Sequence, residues 1–171
     1  MEDRPQIKLK LRPADILLEM LASVAILAIW GLAISHYSSL PDTIPTHFNA
    51  AGQPDDFGGK ATLFILPILS TILFIGLTLL NRHPEIFNYP VDITLENASA
   101  QYKNIQRMMR YLKMVIVMIF GAILYRNIQI GQGIRDSLGS WFLPITLTAI
   151  FIVPLLFLIN SARINKKLQN K

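Results

Sequence analysis

The residues best suited to chemistry lie in one polar segment, Pro41–Lys60, between two long apolar stretches. Its twenty residues include one His, one Asn, one Lys, three Asp, three Pro and three Gly. Of these, His47, Asn49 and Asp55 could bind a ligand, and His is also the commonest general base in enzymes. A few residues suffice to join two helices, so we expect this segment to carry the function.

The candidate metal ligands near this segment do not have the spacing of a metal site. They are His36, Asp42, His47, Asp55 and Asp56. Zinc takes three or four ligands, and catalytic zinc commonly uses several His. The two His are eleven positions apart and form neither an H-x-H nor an H-x-x-x-H pattern. We therefore predict no metal site and no cofactor, and keep a small metal-dependent membrane enzyme using His47, Asn49 and Asp55 as an alternative.

No catalytic motif accompanies His47, because no Ser or Thr has a context such as G-x-S-x-G. We predict no catalytic residue, and two roles remain. In the first, His47 and Asn49 satisfy backbone groups in a tightly folded cap. In the second, the segment recognises an extracytoplasmic ligand, such as a peptide or toxin. The candidate ligand-binding residues are then His47, Asn49, Gly52, Pro54, Asp55 and Lys60, and the structural positions are Pro41, Pro45 and Thr46.

Four apolar stretches position this segment. The chain has 171 residues, of which 52% are hydrophobic and 16% charged, whereas an average soluble domain has about 25% charged residues. The excess apolar surface must face lipid, and a span needs roughly 20 mostly apolar residues. The predicted spans are Ile16–Tyr37, Leu63–Leu80, Met114–Tyr125 (extended to Leu112–Ile130) and Trp141–Ile159. In the extended third span, Lys113 and Arg126 would reach opposite interfaces.

The basic residues predict the orientation, because Lys and Arg accumulate on the cytoplasmic side. Thirteen lie in the two termini and the connection after the second span, and three lie in the other two connections. The thirteen are Arg4, Lys8, Lys10, Arg12, Arg82, Lys103, Arg107, Arg110, Lys113, Arg163, Lys166, Lys167 and Lys171. Both termini should therefore be inside and the Pro41–Lys60 segment outside. The lipid bilayer accounts for the net charge of +5, and nucleic acid is excluded as a partner.

The inner connection, residues 81–111, should contain an amphipathic helix. Its apolar residues recur at helical spacing: Leu95, Ala98, Tyr102, Ile105, Met109 and Leu112. Thr94 is a suitable N-cap for this helix. We expect the helix to run along the inner interface or to bend into the third span. A docking site for a cytoplasmic regulator is the alternative.

Two acids, Asp15 and Glu19, lie one helical turn apart in the first span. They could form an interfacial ion pair with Arg12, or a proton or cation site facing the bundle interior. We expect no matching base inside the membrane. The corresponding functional alternative is a transporter subunit that forms a homo-oligomer around Glu19.

Residues 24–75 resemble a known family. The stretch Leu40-Pro-Asp-Thr-Ile-Pro-Thr-His-Phe-Asn-Ala-Ala-Gly-Gln-Pro-Asp55, followed by Gly59-Lys60, matches the pattern L-P-x-x-I-P-x-H-x-N-x-x-G-x-P-D. That pattern is typical of the domain of unknown function at the N-terminus of SdpI-type bacterial immunity proteins. The resemblance implies a bacterial inner-membrane protein, and in SdpI-type proteins it implies immunity to a secreted toxin and sequestration of a repressor. Those proteins also carry a further multi-span domain, which we do not expect here.

We therefore predict an all-α integral membrane protein with four transmembrane helices in a single domain, residues 1–171. Both termini are inside, the Pro41–Lys60 segment forms an ordered outer loop, and an amphipathic helix lies inside. The expected function is non-enzymatic, in immunity or signalling, with the outer loop recognising an extracytoplasmic ligand.

Overall fold

The computed structural model describes residues 4–7 and 9–169, so Lys8 and Lys171 of the charge count lie outside the described residues. Its long helices are α1 (Pro13–His36), α2 (Ile65–Leu80), α3 (Ala98–Gly131) and α4 (Phe142–Gln169). Each belongs to a helical stretch long and apolar enough to cross a membrane. The four predicted spanning helices are thus confirmed, and the chain is a multi-pass membrane protein.

The polar segment is not purely helix and loop, so the prediction of an all-α chain is incomplete. Two short strands, β1 (Thr43–Phe48) and β2 (Pro54–Gly59), pair in an antiparallel hairpin with two register shifts. Thr and Ile favour strands, but the clustered Pro and Gly resemble a loop. Pro45 is tolerated because the first register shift follows it directly.

Helix α3 is the centre of the bundle, since it packs against α1, α2, α4 and β1. A buried apolar cluster joins α1, the hairpin and the second half of α3: Ile29, Ala33, Leu40, Ile44, Leu63, Val117, Leu124 and Ile128. An isolated two-stranded hairpin is marginally stable in water. Burial of the Ile44 side chain in this cluster therefore anchors the hairpin on the helices.

The start of α3 is close to the predicted one. Thr94 lies four positions before Ala98, the first residue of α3, and its Oγ1 accepts the Asn97 N–H at 3.3 Å, as an N-cap side chain does. Its backbone N–H donates to Asn97 Oδ1 at 2.9 Å, and its carbonyl accepts the Ala98 N–H at 2.9 Å. The predicted amphipathic stretch continues into the third span as one 34-residue helix. Tyr102, Ile105 and Met109 of its apolar stripe are buried in the bundle.

The bundle has a hairpin end, which carries β1 and β2, and an opposite end. The opposite end gathers the start of α1, residues 81–97, the start of α3 and the end of α4. Gln101 Nε2 donates to Ser161 O at 3.0 Å, and Gln106 Nε2 to Asn81 O at 3.1 Å. Burial raises the pKa of Tyr89, whose protonated hydroxyl donates to Pro84 O at 2.8 Å.

Candidate functional site

The tip of the hairpin is organised by Asn49. Its Oδ1 accepts hydrogen bonds from the backbone N–H groups of Ala51 (2.9 Å) and Gln53 (3.1 Å). The Asn49 backbone N–H donates in turn to Gln53 O at 2.9 Å. An Asx side chain that bonds its own backbone in this way stabilises a turn. The side-chain oxygen of Asn49 is therefore already engaged in hydrogen bonds within the hairpin tip.

His47 and Asp55 meet across the two strands. His47 Nδ1 lies 2.5 Å from Asp55 Oδ1, and the two side chains are 68% and 41% exposed. Because a carboxylate on one ring nitrogen fixes the orientation of the imidazole, the pair presents a defined polar group at the surface. The fold brings together these two of the predicted site residues.

Lys60 stands apart from that pair. Its Nζ lies 3.0 Å from Asp42 Oδ1 and 5.6 Å from the centre of the Tyr37 ring. This contact ties the base of the hairpin to the end of α1. Pro41 lies in the same region, between Leu40, which is buried, and Asp42, which is exposed. Lys60 therefore pairs with Asp42 and belongs to the hairpin base.

Gly52 and Thr46 hold the hairpin against its surroundings. Gly52 has φ +77°, and a Cβ atom there would lie 2.7 Å from the carbonyl oxygen of Gly139. Its own carbonyl accepts the Leu138 N–H at 2.8 Å. Thr46 packs so tightly on Gly58 that a Cβ on that glycine would lie 2.8 Å from Thr46 Cγ2. The glycines at both positions therefore permit close packing.

A cavity of about 400 Å³ lies beneath the hairpin, among β1, the start of α2, the second half of α3 and the start of α4. The polar residues Thr46, His47 and Asn49 line one side of the cavity. The walls are apolar, with Leu66, Ile123, Phe142 and Leu143 among the lining residues. Binding sites for small ligands typically have this volume and this mixture of apolar walls and few polar groups.

Asn127 is a site residue that the sequence reasoning missed. It lies on α3, is 7% exposed, and lines the cavity. Its Nδ2 donates to the Pro45 carbonyl at 3.0 Å, whereas its Oδ1 is buried and has no hydrogen-bond partner within residues 4–7 and 9–169. The available signal was an uncharged polar residue within the apolar third span, since such residues rarely occur there without a partner.

A metal centre finds little support in this geometry. Among residues 4–7 and 9–169, no group of three or more His, Cys, Asp and Glu side chains is placed to hold a metal ion. His36 is engaged elsewhere, with Nδ1 lying 3.0 Å from Leu32 O. His47 and Asp55 alone would supply two ligands, fewer than zinc requires.

A second polar cluster lies inside the helix bundle, and it corrects two expectations. The Lys113 side chain points into the bundle: it is 2% exposed, and its Nζ contacts Glu19 Oε2 and Thr78 Oγ1, the latter at 2.7 Å. Arg110 is also buried, with Nε 3.4 Å from Glu19 Oε1 and a longer contact to Asp15. The two acids therefore have matching bases, which their distance in sequence concealed.

Asp15 also accepts a hydrogen bond from the backbone. Its Oδ2 accepts the Arg12 backbone N–H at 3.0 Å at the start of α1, where Pro13 fills the first helical position. The expected partner, the Arg12 side chain, is replaced by Arg110 of α3. We name the set Asp15, Glu19, Arg110 and Lys113 the charge cluster, and it links α1 to α3.

The chain is similar to known proteins over part of its length. Residues 24–71 match the family described as "Domain of unknown function (DUF1648)". An uncharacterized protein of Archaeoglobus fulgidus is 41% identical over 75 residues. The match covers 39% of this chain and 41% of that protein, so the chain spans less than half of the relative's length. No solved structure matches the chain. Residues 24–71 of this multi-pass membrane protein are therefore similar to the DUF1648 family, a domain of unknown function.

Proposed function

We propose that the chain is a non-enzymatic membrane protein whose hairpin end faces outside and recognises an extracytoplasmic ligand. The cavity of about 400 Å³ beneath the hairpin is the observation that carries this proposal. It combines a half-open, largely apolar space with the polar residues His47 and Asn127. A connection that only joins α1 to α2 can be a few residues long and does not need to cover a cavity.

The outward orientation of the hairpin end rests on the distribution of Lys and Arg. Arg82, Lys103 and Arg107 accompany the opposite end, together with the basic residues of the final turns of α4. The hairpin itself carries only Lys60. This asymmetry follows the rule for cytoplasmic segments, and a bacterial inner membrane is the setting that the SdpI-type resemblance favours.

The role that we infer for this recognition is immunity or signalling. SdpI-type proteins, which share the loop pattern of residues 40–60, act in immunity, and ligand capture at an outer surface suits that role. A cytoplasmic regulator on the basic opposite end would complete a signalling pathway. That partner and a homo-oligomeric state stay predictions.

A growth assay tests this role. A strain that encodes the chain is deleted for it, complemented with wild type or variants, and challenged with spent medium of the parent strain. We expect His47→Ala to abolish protection at normal membrane abundance, because it removes the more exposed member of the hairpin pair. His83→Ala is the matched control, since His83 forms a similar exposed pair with Glu85 at 3.2 Å at the opposite end. Protection by His47→Ala equal to that by His83→Ala would refute the proposal.

The two alternative functions have weaker support. The metal-dependent enzyme would use His47, Asn49 and Asp55, but Asn49 Oδ1 already accepts two backbone hydrogen bonds. The transporter subunit would use Glu19 as an ion site, but Glu19 is paired with Lys113. Metal analysis of purified protein and a Glu19→Gln variant in a transport assay test these alternatives directly.

A further inference from the structure

Asn127 lines the cavity beneath the hairpin, and its side-chain oxygen Oδ1 is buried with no hydrogen-bond partner among the described residues. The assignment of its two amide atoms follows from the Pro45 carbonyl, which can only accept a hydrogen bond and so must face Nδ2. A buried amide oxygen without a partner is unfavourable by the desolvation free energy of that group. A ligand with an N–H or O–H donor would remove this penalty.

Apart from Thr46, His47, Asn49, Thr62 and Thr146, the rest of the cavity lining is apolar. Its described lining residues include no Asp, Glu, Lys or Arg, and Leu66, Ile123 and Phe142 form its walls. A charged ligand group would therefore be desolvated without a counter-ion inside the cavity, which is strongly unfavourable. An apolar ligand chain would gain free energy in proportion to the area it buries.

The cavity is flanked by two helices whose apolar residues face outward. α2 and α4 both pack on α3. Ile65 at the start of α2 is 50% exposed and Leu143 at the start of α4 is 40% exposed, and both line the cavity. Since these helices are long enough to span a membrane, this side of the cavity borders lipid. A ligand dissolved in the bilayer can reach it without crossing water.

We propose that the cavity binds an uncharged amphiphile that enters from the lipid between α2 and α4. Its N–H or O–H group donates to Asn127 Oδ1, and its apolar chain lies against Leu66, Ile123 and Phe142. This proposal names the ligand class of the recognition site and rests on the proposed function for its biological role.

Photolabelling with two matched probes tests the ligand class. Full-length protein in lipid nanodiscs is labelled with a diazirine-bearing hexadecanamide, which has an N–H donor, or with the corresponding methyl ester, which has none. We expect about tenfold more labelling of the cavity walls by the amide, equivalent to about 1.4 kcal/mol. Asn127→Leu should abolish this preference. Equal labelling of the wild-type cavity by amide and ester would overturn the proposal.

A cavity-filling variant keeps the test independent of the Asn127–Pro45 hydrogen bond. Ile123→Trp places a larger side chain in the cavity, and we expect it to reduce amide labelling at least fivefold. Met118→Trp, which also introduces a Trp on α3 but on an exposed face, should leave labelling unchanged. Labelling that Ile123→Trp does not reduce would show that the probe binds elsewhere, contradicting the proposal.

The two proposals fail in different ways. If the amide is preferred in the cavity but His47→Ala still protects cells, the recognition role is wrong and the ligand class stands. If His47→Ala abolishes protection but the amide is not preferred, the recognition role stands and the amphiphile is the wrong ligand.

Discussion

Replacing Glu19 with Gln should destabilise the bundle by about 3 kcal/mol. The Lys113 side chain is 2% exposed, and its Nζ is held by the Glu19 carboxylate, by Thr78 Oγ1 and by the Phe74 ring, whose centre is 4.5 Å away. Without Glu19 the ammonium group has no counter-ion. Removing one partner of a buried ion pair costs about 3–5 kcal/mol. We take the lower end because the Gln oxygen can still accept from Lys113.

The double variant Glu19→Gln/Lys113→Met removes both charges and leaves Arg110 beside Asp15. It should therefore be more stable than Glu19→Gln alone, by about 2 kcal/mol, because no unpaired ammonium group remains.

The assay is equilibrium unfolding in mixed micelles, with SDS as denaturant and circular dichroism as the signal. Asp42→Asn is the matched control, because Asp42 pairs with Lys60 at 3.0 Å but its side chain is 96% exposed. An exposed pair contributes at most about 1 kcal/mol. A loss below 1 kcal/mol for Glu19→Gln, or a double variant no more stable than Glu19→Gln, would refute the assignment of the charge cluster as a stabilising link between α1 and α3.

Three further predictions concern the hairpin. Gly52→Ala should lower the free energy of unfolding by about 2 kcal/mol, because its φ of +77° is strained for other residues and its Cβ would contact Gly139 O. Gly59→Ala, where a Cβ meets no atom within 4 Å, is the control, and equal effects in thermal unfolding would contradict this reasoning. Asn49→Ala should destabilise the hairpin by about 1 kcal/mol, because it removes two exposed hydrogen bonds from the tip, and an unchanged melting temperature would count against it. The chain has no Cys, so a membrane-impermeant maleimide should label Ala50→Cys in intact cells and Asn88→Cys only after permeabilisation, whereas the reverse pattern would place the hairpin inside.

The sequence predicted the helices well because membrane spans have a direct signature in apolar length. Their ends were less certain. α3 begins at Ala98, after a turn that the side chains of Thr94 and Asn97 stabilise. Such side-chain hydrogen bonds can form in several conformations, so the first residue of the helix could not be read from the sequence. The strands of the hairpin were missed because their pairing depends on burial of Ile44 against α3, a contact distant in sequence.

The candidate site was only partly predictable for the same reason. His47 and Asp55 are eight positions apart, and their pairing follows from the hairpin register. Asn127 and the charge cluster depend on helices that are far apart in the chain. Lys113 contacts Glu19 across 94 positions. Without the packing of α1 on α3, a Lys near a span end suggests an interfacial residue.

The most direct test of ligand recognition in the cavity compares Ile123→Trp with Met118→Trp in the growth assay, at equal membrane abundance. Both variants place a Trp on α3, but only Ile123 lines the cavity. We predict that Met118→Trp protects the deletion strain from spent medium as wild type does, and that Ile123→Trp does not. Full protection by Ile123→Trp would contradict the claim that this cavity recognises the ligand.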